Sequence, residues 1–446
     1  MNLQEELSLP FPLRPYQEEG FKFLTSTPRC LLGDDMGLGK TIQTIVALKN
    51  IYKSIGAFRG MIVVPKPLIS NWLKEIKVWF PEAHVVKVEG LKKNRDMQFM
   101  HVDSILICTY EQMRLSFSAN HPFRPFKVVV FDEAQRLKNN ESFSHISAKY
   151  IETDKLWLLT GTPLENSLGD LKNIMSYFES NIFNDFDSHK EISRKIKPFM
   201  IRRLKGEVLK DLPDLIEENK YIDMTKNQRQ EYEEIYKQKN SLNIKDSSSL
   251  LSLISSLKMA CNFAPQSKES AKLNYLIDII DELSLKGEKI IVFSQYVKTL
   301  EKIKKYLQYE SMIYHGQMKS EEKDTVIKNF KEKKGFSLLL MSLKAGGVGL
   351  NLQEASTVIM FDRWWNPAVE NQAIARAHRM GNKNLVHAIK FVTSNSIEEK
   401  ILSILHEKKE LFDFVIDNEV NKSGKERLLE ILELSHDKNE TKAENN

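Results

Sequence analysis

Two distant stretches constrain the fold of this chain more than any other feature: residues 34–41, DDMGLGKT, and residues 342–380, which end in QAIARAHRM. A glycine-rich turn followed by Gly-Lys-Thr presents backbone N–H groups to phosphate oxygens, a lysine to the β- and γ-phosphates and a hydroxyl to Mg²⁺. Arg376 and Arg379, three residues apart, share a face if they lie on one helix. Paired arginines so far from the phosphate loop predict fingers from a second lobe that close over ATP. Together the two stretches predict a two-lobed, ATP-driven motor.

The length and composition of the chain are compatible with such a motor. Its 446 residues exceed one ordinary hydrophobic core, so two domains are expected. No apolar run could span a bilayer and the acidic start is no signal peptide, so we expect a cytoplasmic protein, associated with the nucleoid in a bacterium. Cys30, Cys108 and Cys261 lack the spacing of a zinc site or a disulfide framework. The net charge of +5 is compatible with nucleic acid but does not establish it.

Short apolar runs alternate with turns and helical patterns in both halves of the chain. This alternation predicts an α/β fold with parallel sheets. In the first half the runs are 61–64, 105–107, 128–131 and 156–159. In the second half they are 290–293, 338–341, 358–361 and 387–392.

The segment between the two halves is polar. Residues 228–239 have a helical pattern and residues 240–249 resemble a loop, so the lobe boundary is expected between about 205 and 270. An amphipathic helix is expected beyond Ile397, followed by a disordered tail. The predicted domains are a first lobe, a helical linker, a second lobe and a C-terminal helix end with its tail, at residues 1–204, 205–270, 271–418 and 419–446.

Polar residues follow several of the predicted strands, at the edge where open α/β sheets bind ligands. Asp132 and Glu133 come directly after the 128–131 run, which places one carboxylate near Mg²⁺ and the other near an attacking water. Thr160 follows the 156–159 run, and its hydroxyl could connect the ATP site to a nucleic-acid groove. Upstream, the Gln17 amide could pair with both a donor and an acceptor on an adenine edge, although an ordinary surface amide is the alternative.

These motifs occur in the order found in a known family. The quoted matches are LRPYQ, DDMGLGKT, VVPKPLISNW, ILICTYEQM, FDEAQRLKN, LLTGTPLENSLGDL, FMIRRLKGEVLKDLP, IIVFSQY, YHGQM, SLKAGGVGLNL, FDRWWNP and QAIARAHRMGN. Over roughly residues 11 to 418 the chain resembles the Swi/Snf-type ATPases of helicase superfamily two. The resemblance implies two RecA-like parallel-sheet lobes in tandem, with a helical linker and a C-terminal brace helix. It also implies a DNA-dependent ATPase that moves along double-stranded DNA and remodels protein–DNA complexes without separating the strands.

The resemblance also implies site residues and partners. Glu133 is the implied general base, with Lys40 on phosphate and Arg376 and Arg379 as fingers. The implied nucleotide-binding residues are Arg14, Gln17, Gly37, Leu38, Gly39, Lys40 and Thr41, and the implied Mg²⁺ ligands are Thr41 and Asp132. The implied DNA-contacting or coupling residues are Thr160, Ser342, Lys344, Gly346, Gly347, Asn351, Trp365 and Gln372. The expected cofactors are ATP and Mg²⁺. The protein is expected to be a monomer with no membrane partner. Another protein could target it to its site of action.

The chain departs from the family pattern at four positions. Asp34 stands where a strict phosphate loop has glycine, Gln135 where many relatives have histidine, and Ala375 and Asn382 where aspartate and glutamine are common. ATP binding and both arginines are retained nonetheless.

A purely structural role remains an alternative for several residues. Trp364 and Trp365 could pack in the core rather than contact DNA or couple the lobes. The basic run of Arg202, Arg203 and Lys205 could be a solvated face, a phosphate contact or an anchor for the lobe hinge.

Three classes of function compete at the level of the sequence. The favoured class is an ATP-driven translocase on double-stranded DNA. A strand-separating helicase on DNA or RNA would have the same ATP-hydrolysing core and a different substrate geometry. A non-catalytic, ATP-dependent scaffold is expected to have lost Lys40, Glu133 or an arginine finger, and the sequence keeps all of them.

Overall fold

The structure is a computed structural model. It describes residues 3–137, 142–161, 173–178, 182, 189–209, 214–241, 247–346, 350–364, 367–379 and 385–403. These residues form two compact units, 3–209 and 214–403, each built around its own sheet. None of the helices in these ranges is long and apolar enough to cross a membrane.

The first unit contains a parallel sheet. Among the described residues its strands are β1 (Arg29–Leu32), β2 (Gly60–Val64), β3 (Val85–Lys87), β4 (Ile105–Thr109), β5 (Phe126–Asp132), β6 (Thr153–Leu159) and β7 (Met200–Ile201). They lie in the order β3-β4-β2-β5-β6-β1-β7, and every neighbouring pair is parallel. Among the described residues the helices are Leu3–Glu6, Pro15–Ser26, Lys40–Ile55, Ile69–Trp79, Lys92–Phe99, Tyr110–Ser116, Phe143–Lys149, His189–Ile196 and Lys205–Val208, and residues 173–175 are also helical. Short 3-10 turns occur at Lys66–Leu68 and Ala134–Leu137.

Both faces of the first sheet are covered, because successive side chains of a strand point to opposite faces. In β2, Ile62 and Val64 belong to one buried cluster, which includes residues of the helices Pro15–Ser26 and Lys40–Ile55. Met61 and Val63 belong to the opposite cluster. A continuous apolar run is therefore required in this strand.

The second unit also contains a parallel sheet. Among the described residues its strands are β8 (Leu215–Ile222), β9 (Lys289–Ser294), β10 (Ser311–Tyr314), β11 (Ser337–Ser342), β12 (Thr357–Met360) and β13 (Val386–Thr393). They lie in the order β10-β11-β9-β12-β13-β8, again with parallel pairs. The helices are Lys226–Lys237, Ser247–Asn262, Ala271–Leu285, Val297–Tyr306, Ser320–Glu332, Leu343–Gly346, Pro367–Ile374 and 397–403, and Gln238–Ser241 is a 3-10 turn.

The predicted fold class is confirmed, since each of the eight predicted runs coincides with a parallel strand to within three residues at either end. One part of the predicted helical linker, residues 205–270, is wrong. Residues 215–222 are not helical but form β8, which pairs with β13 along its whole length. The reason is that β8 is an edge strand with the polar sequence LIEENKYI, so it carries no apolar run. Residues 397–403 are helical, and the rest of the predicted C-terminal helix and tail lies outside the described residues.

Candidate nucleotide-binding site

The predicted phosphate loop, acidic pair and Thr160 follow three adjacent strands of the first sheet. β5, β6 and β1 are neighbours in the sheet, so their carboxyl ends meet at one edge. The backbone N–H of Thr160 donates to the carbonyl of Leu32, 3.2 Å away. A Cβ added to Gly161 would lie 2.6 Å from Cγ of Met36 in the phosphate loop. A larger residue at this position would have to displace the Met36 side chain, so the end of β6 lies against the loop.

The phosphate loop has the conformation of an anion-binding turn. Gly37 and Gly39 have φ angles of 87° and 77°, in the left-handed region that favours glycine. The 16-residue helix Lys40–Ile55 begins directly after them, and its first N–H groups have no partner within the helix. The ammonium group of Lys40 donates to the carbonyls of Asp34 and Asp35, at 2.6 and 3.3 Å. The lysine therefore lies over the loop that would hold the phosphates.

Asp132, the predicted Mg²⁺ ligand, is buried and accepts two hydrogen bonds. Its carboxylate oxygens accept from the indole N–H of Trp72 at 2.8 Å and from the backbone N–H of Glu133 at 3.0 Å. Burial, and then the charge of Glu133, raise the pKa of Asp132 to about 6, against the lowering effects of the Trp72 donor and Lys40. A cation beside Asp132 would offset this penalty, so the carboxylate fits a Mg²⁺ ligand.

The described residues contain no cluster of three or more histidine, cysteine or acidic side chains that could hold a metal on their own. This absence is compatible with Mg²⁺, which keeps several waters and is commonly bound by one or two carboxylates plus substrate phosphates. Thr41, in the first turn of the helix after the loop, fits the predicted second ligand.

Glu133, the predicted general base, has an unusual backbone. Its φ of 54° lies in the left-handed region, which is uncommon for residues other than glycine. The hydroxyl of Tyr110 donates to the carbonyls of Asp132 and Glu133, at 2.8 and 3.4 Å, and Arg136 N–H donates to the latter at 3.1 Å. These bonds hold the strained turn and aim the Glu133 side chain.

Gln135 connects Glu133 to Thr160. Its side-chain N–H₂ donates to the Glu133 carboxylate at 2.7 Å, and its amide oxygen accepts from the Thr160 hydroxyl at 2.9 Å. The amide thus joins a carboxylate to a hydroxyl through one group that both donates and accepts and that does not titrate. The ends of β5 and β6 are joined by this chain of side chains, which supports the predicted coupling role of Thr160.

Gln17 packs against the phosphate loop and is not a surface amide, since only 5% of it is exposed. Its amide oxygen accepts from the backbone N–H of Arg14 at 3.0 Å, and its N–H₂ group lies 3.4 Å from the carbonyl of Leu38. A Cβ on Gly39 would lie 2.5 Å from the Gln17 nitrogen. The adenine contact of Gln17 and Arg14 stays a prediction.

The unusual Asp34 of the phosphate loop is also buried, and it forms an ion pair with Arg203. With 7% of its surface exposed, Arg203 is not part of a solvated face. Of the interpretations that the sequence left open for this arginine, the solvated face is therefore wrong, and the phosphate contact and the hinge anchor stay predictions.

The second unit holds the remaining predicted residues. Ser342 ends β11, Gly346 ends the helix Leu343–Gly346, and Gln372 lies in the helix Pro367–Ile374. The Lys344 ammonium lies 5.9 Å from the ring centre of Trp364. Asn351 donates to the Gln353 side chain at 3.3 Å, whereas Gly347 and Trp365 lie outside the described residues. Trp364 itself packs against the core, which agrees with the interpretation of that residue as a core residue.

The predicted finger helix needs a correction. The helix Pro367–Ile374 ends before both arginines, and Arg376 and Arg379 lie in the turn that follows. The carbonyl of Arg376 accepts from the N–H of Leu352 at 3.0 Å, and Arg379 N–H donates to Ala377. Because the regular helix ends at Ile374, the two arginines are not placed on one face of it. Their catalytic role stays a prediction.

A buried polar network also lies at the carboxyl edge of the second sheet. Asp362, which follows β12, accepts from the Asn262 side chain at 2.9 Å and from the Ser294 hydroxyl. The Lys272 ammonium donates to Asn262 at 3.3 Å and to Glu398 at 2.7 Å. This network fastens the helix Ser247–Asn262 to the strand ends, so that helix belongs to the second unit.

A glycine-rich loop, a lysine and an acidic pair at the carboxyl edge of a parallel sheet define the class of P-loop nucleotide-binding proteins. The SNF2-related domain family matches residues 16–266, and the helicase conserved C-terminal domain matches residues 271–381. The chain belongs to the SNF2-related family. The predicted family is therefore confirmed, and the ATP-hydrolysing activity of the chain stays a proposal.

Individual relatives are similar to most of this chain. An uncharacterized ATP-dependent helicase of Mycoplasma genitalium is 32% identical over 94% of the chain and 44% of the relative. A putative ATP-dependent helicase/translocase of Bacillus subtilis is 30% identical over 95% of the chain and 51% of the relative. The chain thus spans about half the length of these curated relatives. Among solved structures, the Sulfolobus solfataricus SWI2/SNF2 ATPase core in complex with dsDNA is 28% identical over 96% of this chain and 98% of that chain, with a TM-score of 0.45.

Proposed function

We propose that this chain is an ATP-driven translocase that moves along double-stranded DNA and remodels protein–DNA complexes. The observation that carries the proposal is the side-chain path from Glu133 through Gln135 to Thr160, which joins the ATP site to the predicted coupling layer. Orientation of Glu133 for hydrolysis needs only the bond from Gln135, whereas the second bond, from Thr160 to Gln135, extends the path beyond the ATP site. The family, whose members include a putative helicase/translocase, supports the same function.

The roles in ATP hydrolysis follow from the site. The N–H groups at the start of the helix Lys40–Ile55 and the Lys40 ammonium bind the phosphates. Asp132 and Thr41 would hold Mg²⁺, which when bound neutralises charge on the phosphates. Glu133 accepts a proton from the attacking water, and the Gln135 amide orients its carboxylate. Arg376 and Arg379 stabilise the charge that develops on the transferred phosphoryl group.

The proposed DNA contacts are the predicted second-unit residues at Ser342, Lys344, Gly346, Gly347, Asn351, Trp365 and Gln372. Movement along a duplex requires contacts to the phosphate backbone rather than to base edges. Binding should therefore tolerate any sequence and weaken steeply as salt is added. In a bacterial host such binding would place the protein on the nucleoid, with a further protein selecting the complex that is remodelled.

Strand separation is the second candidate, because the relatives carry the name helicase. It would use the same ATP site and differ only in what happens to the DNA. The two functions make opposite predictions for a duplex with a third strand annealed to it and for a duplex with a single-stranded tail.

The test compares ATP hydrolysis without nucleic acid and with duplex DNA, single-stranded DNA or RNA, followed by both displacement assays. We expect duplex DNA to stimulate hydrolysis most, and ATP to drive release of the third strand while the duplex strands stay paired. Glu133→Gln is the matched control, since the amide fits the pocket but cannot accept the proton. It should bind ATP and release no strand. Release of a strand from the tailed duplex without triplex displacement would support the helicase instead.

A further inference from the structure

The segment by which the chain leaves the first unit lies alongside the phosphate loop. This exit segment, residues 200–205, begins with β7, the edge strand next to β1. The N–H of Gly33 donates to the carbonyl of Ile201 at 2.8 Å, and the N–H of Asp35 donates to the carbonyl of Arg203 at 2.9 Å. The backbone of the exit segment is therefore hydrogen-bonded to the loop itself.

The guanidinium group of Arg203 adds contacts to three elements of the nucleotide site. It forms a bidentate pair with Asp34, with Nε 2.8 Å from Oδ1 and Nη2 2.5 Å from Oδ2. Nη2 also lies 3.0 Å from the amide oxygen of Gln43, in the helix after the loop. Nη1 donates to the carbonyl of Tyr16, the residue before Gln17. One side chain thus joins the loop, the helix after it and the helix that carries the predicted adenine contact.

The cluster is tightly packed. A Cβ at Gly20 would lie 1.7 Å from the Gln43 amide oxygen and 2.7 Å from Nη2 of Arg203. Asp34 and Gln43 are fully buried, and the Gln43 N–H₂ group donates to Asp34 and to the Leu38 carbonyl at 3.1 Å each. A buried, fully hydrogen-bonded ion pair has one geometry, so a shift of the loop must move its partners.

The loop residues held by the exit segment are the ones that nucleotide would rearrange. The Lys40 ammonium donates to the carbonyls of Asp34 and Asp35, the same two residues that contact Arg203 through a side chain and a backbone N–H. When Lys40 binds phosphate, these carbonyls lose its hydrogen bonds. The change occurs at the point where the exit segment is attached.

We infer that Arg203 is a positioning residue of the nucleotide site, which shapes the phosphate loop for ATP and couples nucleotide binding to the exit segment that leads into the second unit. The inference rests on the proposed ATP binding and goes beyond it. Thermodynamic linkage makes the coupling reciprocal: what favours the nucleotide-bound loop also favours one conformation of residues 200–205.

The first experiment measures binding of a fluorescent, non-hydrolysable ATP analogue with Mg²⁺ to the full chain. Arg203→Gln should raise the Kd about tenfold or more, since charge-assisted bonds that shape the loop are lost. Arg203→Lys keeps the charge but cannot make the bidentate contact, so its Kd should lie between those of the wild type and Arg203→Gln. Arg194→Gln, at an exposed arginine on the preceding helix His189–Ile196, is the matched control and should bind like the wild type.

The second experiment measures amide hydrogen exchange in the wild type with and without the analogue, and needs no variant. We expect slower exchange in the phosphate loop and also in residues 200–205. Protection confined to the loop, or an Arg203→Gln variant with unchanged affinity, would overturn the inference and leave the proposed ATPase standing. A wild type that binds no analogue would overturn the proposed ATPase and the inference with it.

Discussion

The pKa of Asp132 predicts how the stability of the nucleotide-free protein depends on pH. Burial raises this pKa from an ordinary value of 3.8 to about 6. A difference of roughly two pKa units corresponds to about 3 kcal/mol of unfolding free energy. A buried carboxyl that must be charged at neutral pH therefore weakens the first unit by about that amount when Mg²⁺ and nucleotide are absent.

The sign follows from proton binding. Between pH 3.8 and about 6 the folded protein keeps a proton on Asp132 that the unfolded chain has lost. The contribution of Asp132 to stability therefore falls as pH rises through this window and is constant above it. Asp132→Asn removes the titrating group, so the difference between the wild type and the variant isolates the effect from other carboxylates.

The assay is urea unfolding in EDTA from about pH 4 to about pH 7.5, because free energies from denaturant midpoints resolve changes of this size. The wild type should lose about 3 kcal/mol relative to Asp132→Asn across the window. Trp72→Phe, which removes a donor to the charged carboxylate, should move the decline to higher pH. Parallel wild-type and Asp132→Asn curves would show that Asp132 stays charged, and the argument from burial would be wrong.

Three other substitutions test the site and the second unit. Gln135→Ala removes the 2.7 Å donor to Glu133 and should lower the rate of ATP hydrolysis about 10- to 100-fold, measured by phosphate release; an unchanged rate would refute the orienting role. Arg376→Ala should lower that rate by roughly 10³-fold with little effect on analogue binding, whereas wild-type turnover would exclude a finger. Glu398→Gln leaves a buried lysine without its carboxylate and should destabilise the second unit by about 3 kcal/mol or more in urea, against an unchanged Glu282→Gln control at an exposed pair.

The strands that could be predicted from the sequence are mostly the central ones. Strands such as β2 and β9 are covered on both faces, so they need the apolar runs that were recognised. Four of the strands that were missed, β3, β7, β8 and β10, lie at sheet edges. An edge strand has one neighbour and partial exposure, so its sequence carries a weaker signal. β1 is internal and was also missed; its short sequence, RCLL, begins with a charged residue.

The part of the candidate site that could be predicted is the part that local motifs and the order of the strands specify. The convergence of the phosphate loop, Asp132 and Thr160 follows from motifs at the ends of parallel strands. The Trp72–Asp132 and Arg203–Asp34 contacts join residues 60 and 169 positions apart, and no local pattern specifies such pairs. The sequence indicated Arg376 as a site residue, but it did not reveal that the helix Pro367–Ile374 ends before it.

The position of β1 between β6 and β7 has a consequence for how the chain is synthesised. β1 leaves the ribosome before either neighbour in the sheet exists, and it must wait until Ile201 has emerged. Such long-range parallel pairing is slow and leaves apolar surface open to aggregation. The phosphate loop begins at the end of β1, so the nucleotide site cannot form until the first unit is almost complete. Under the proposed ATP binding, nucleotide would bind only from that stage on and would stabilise the first unit while the ribosome is still translating the second sheet.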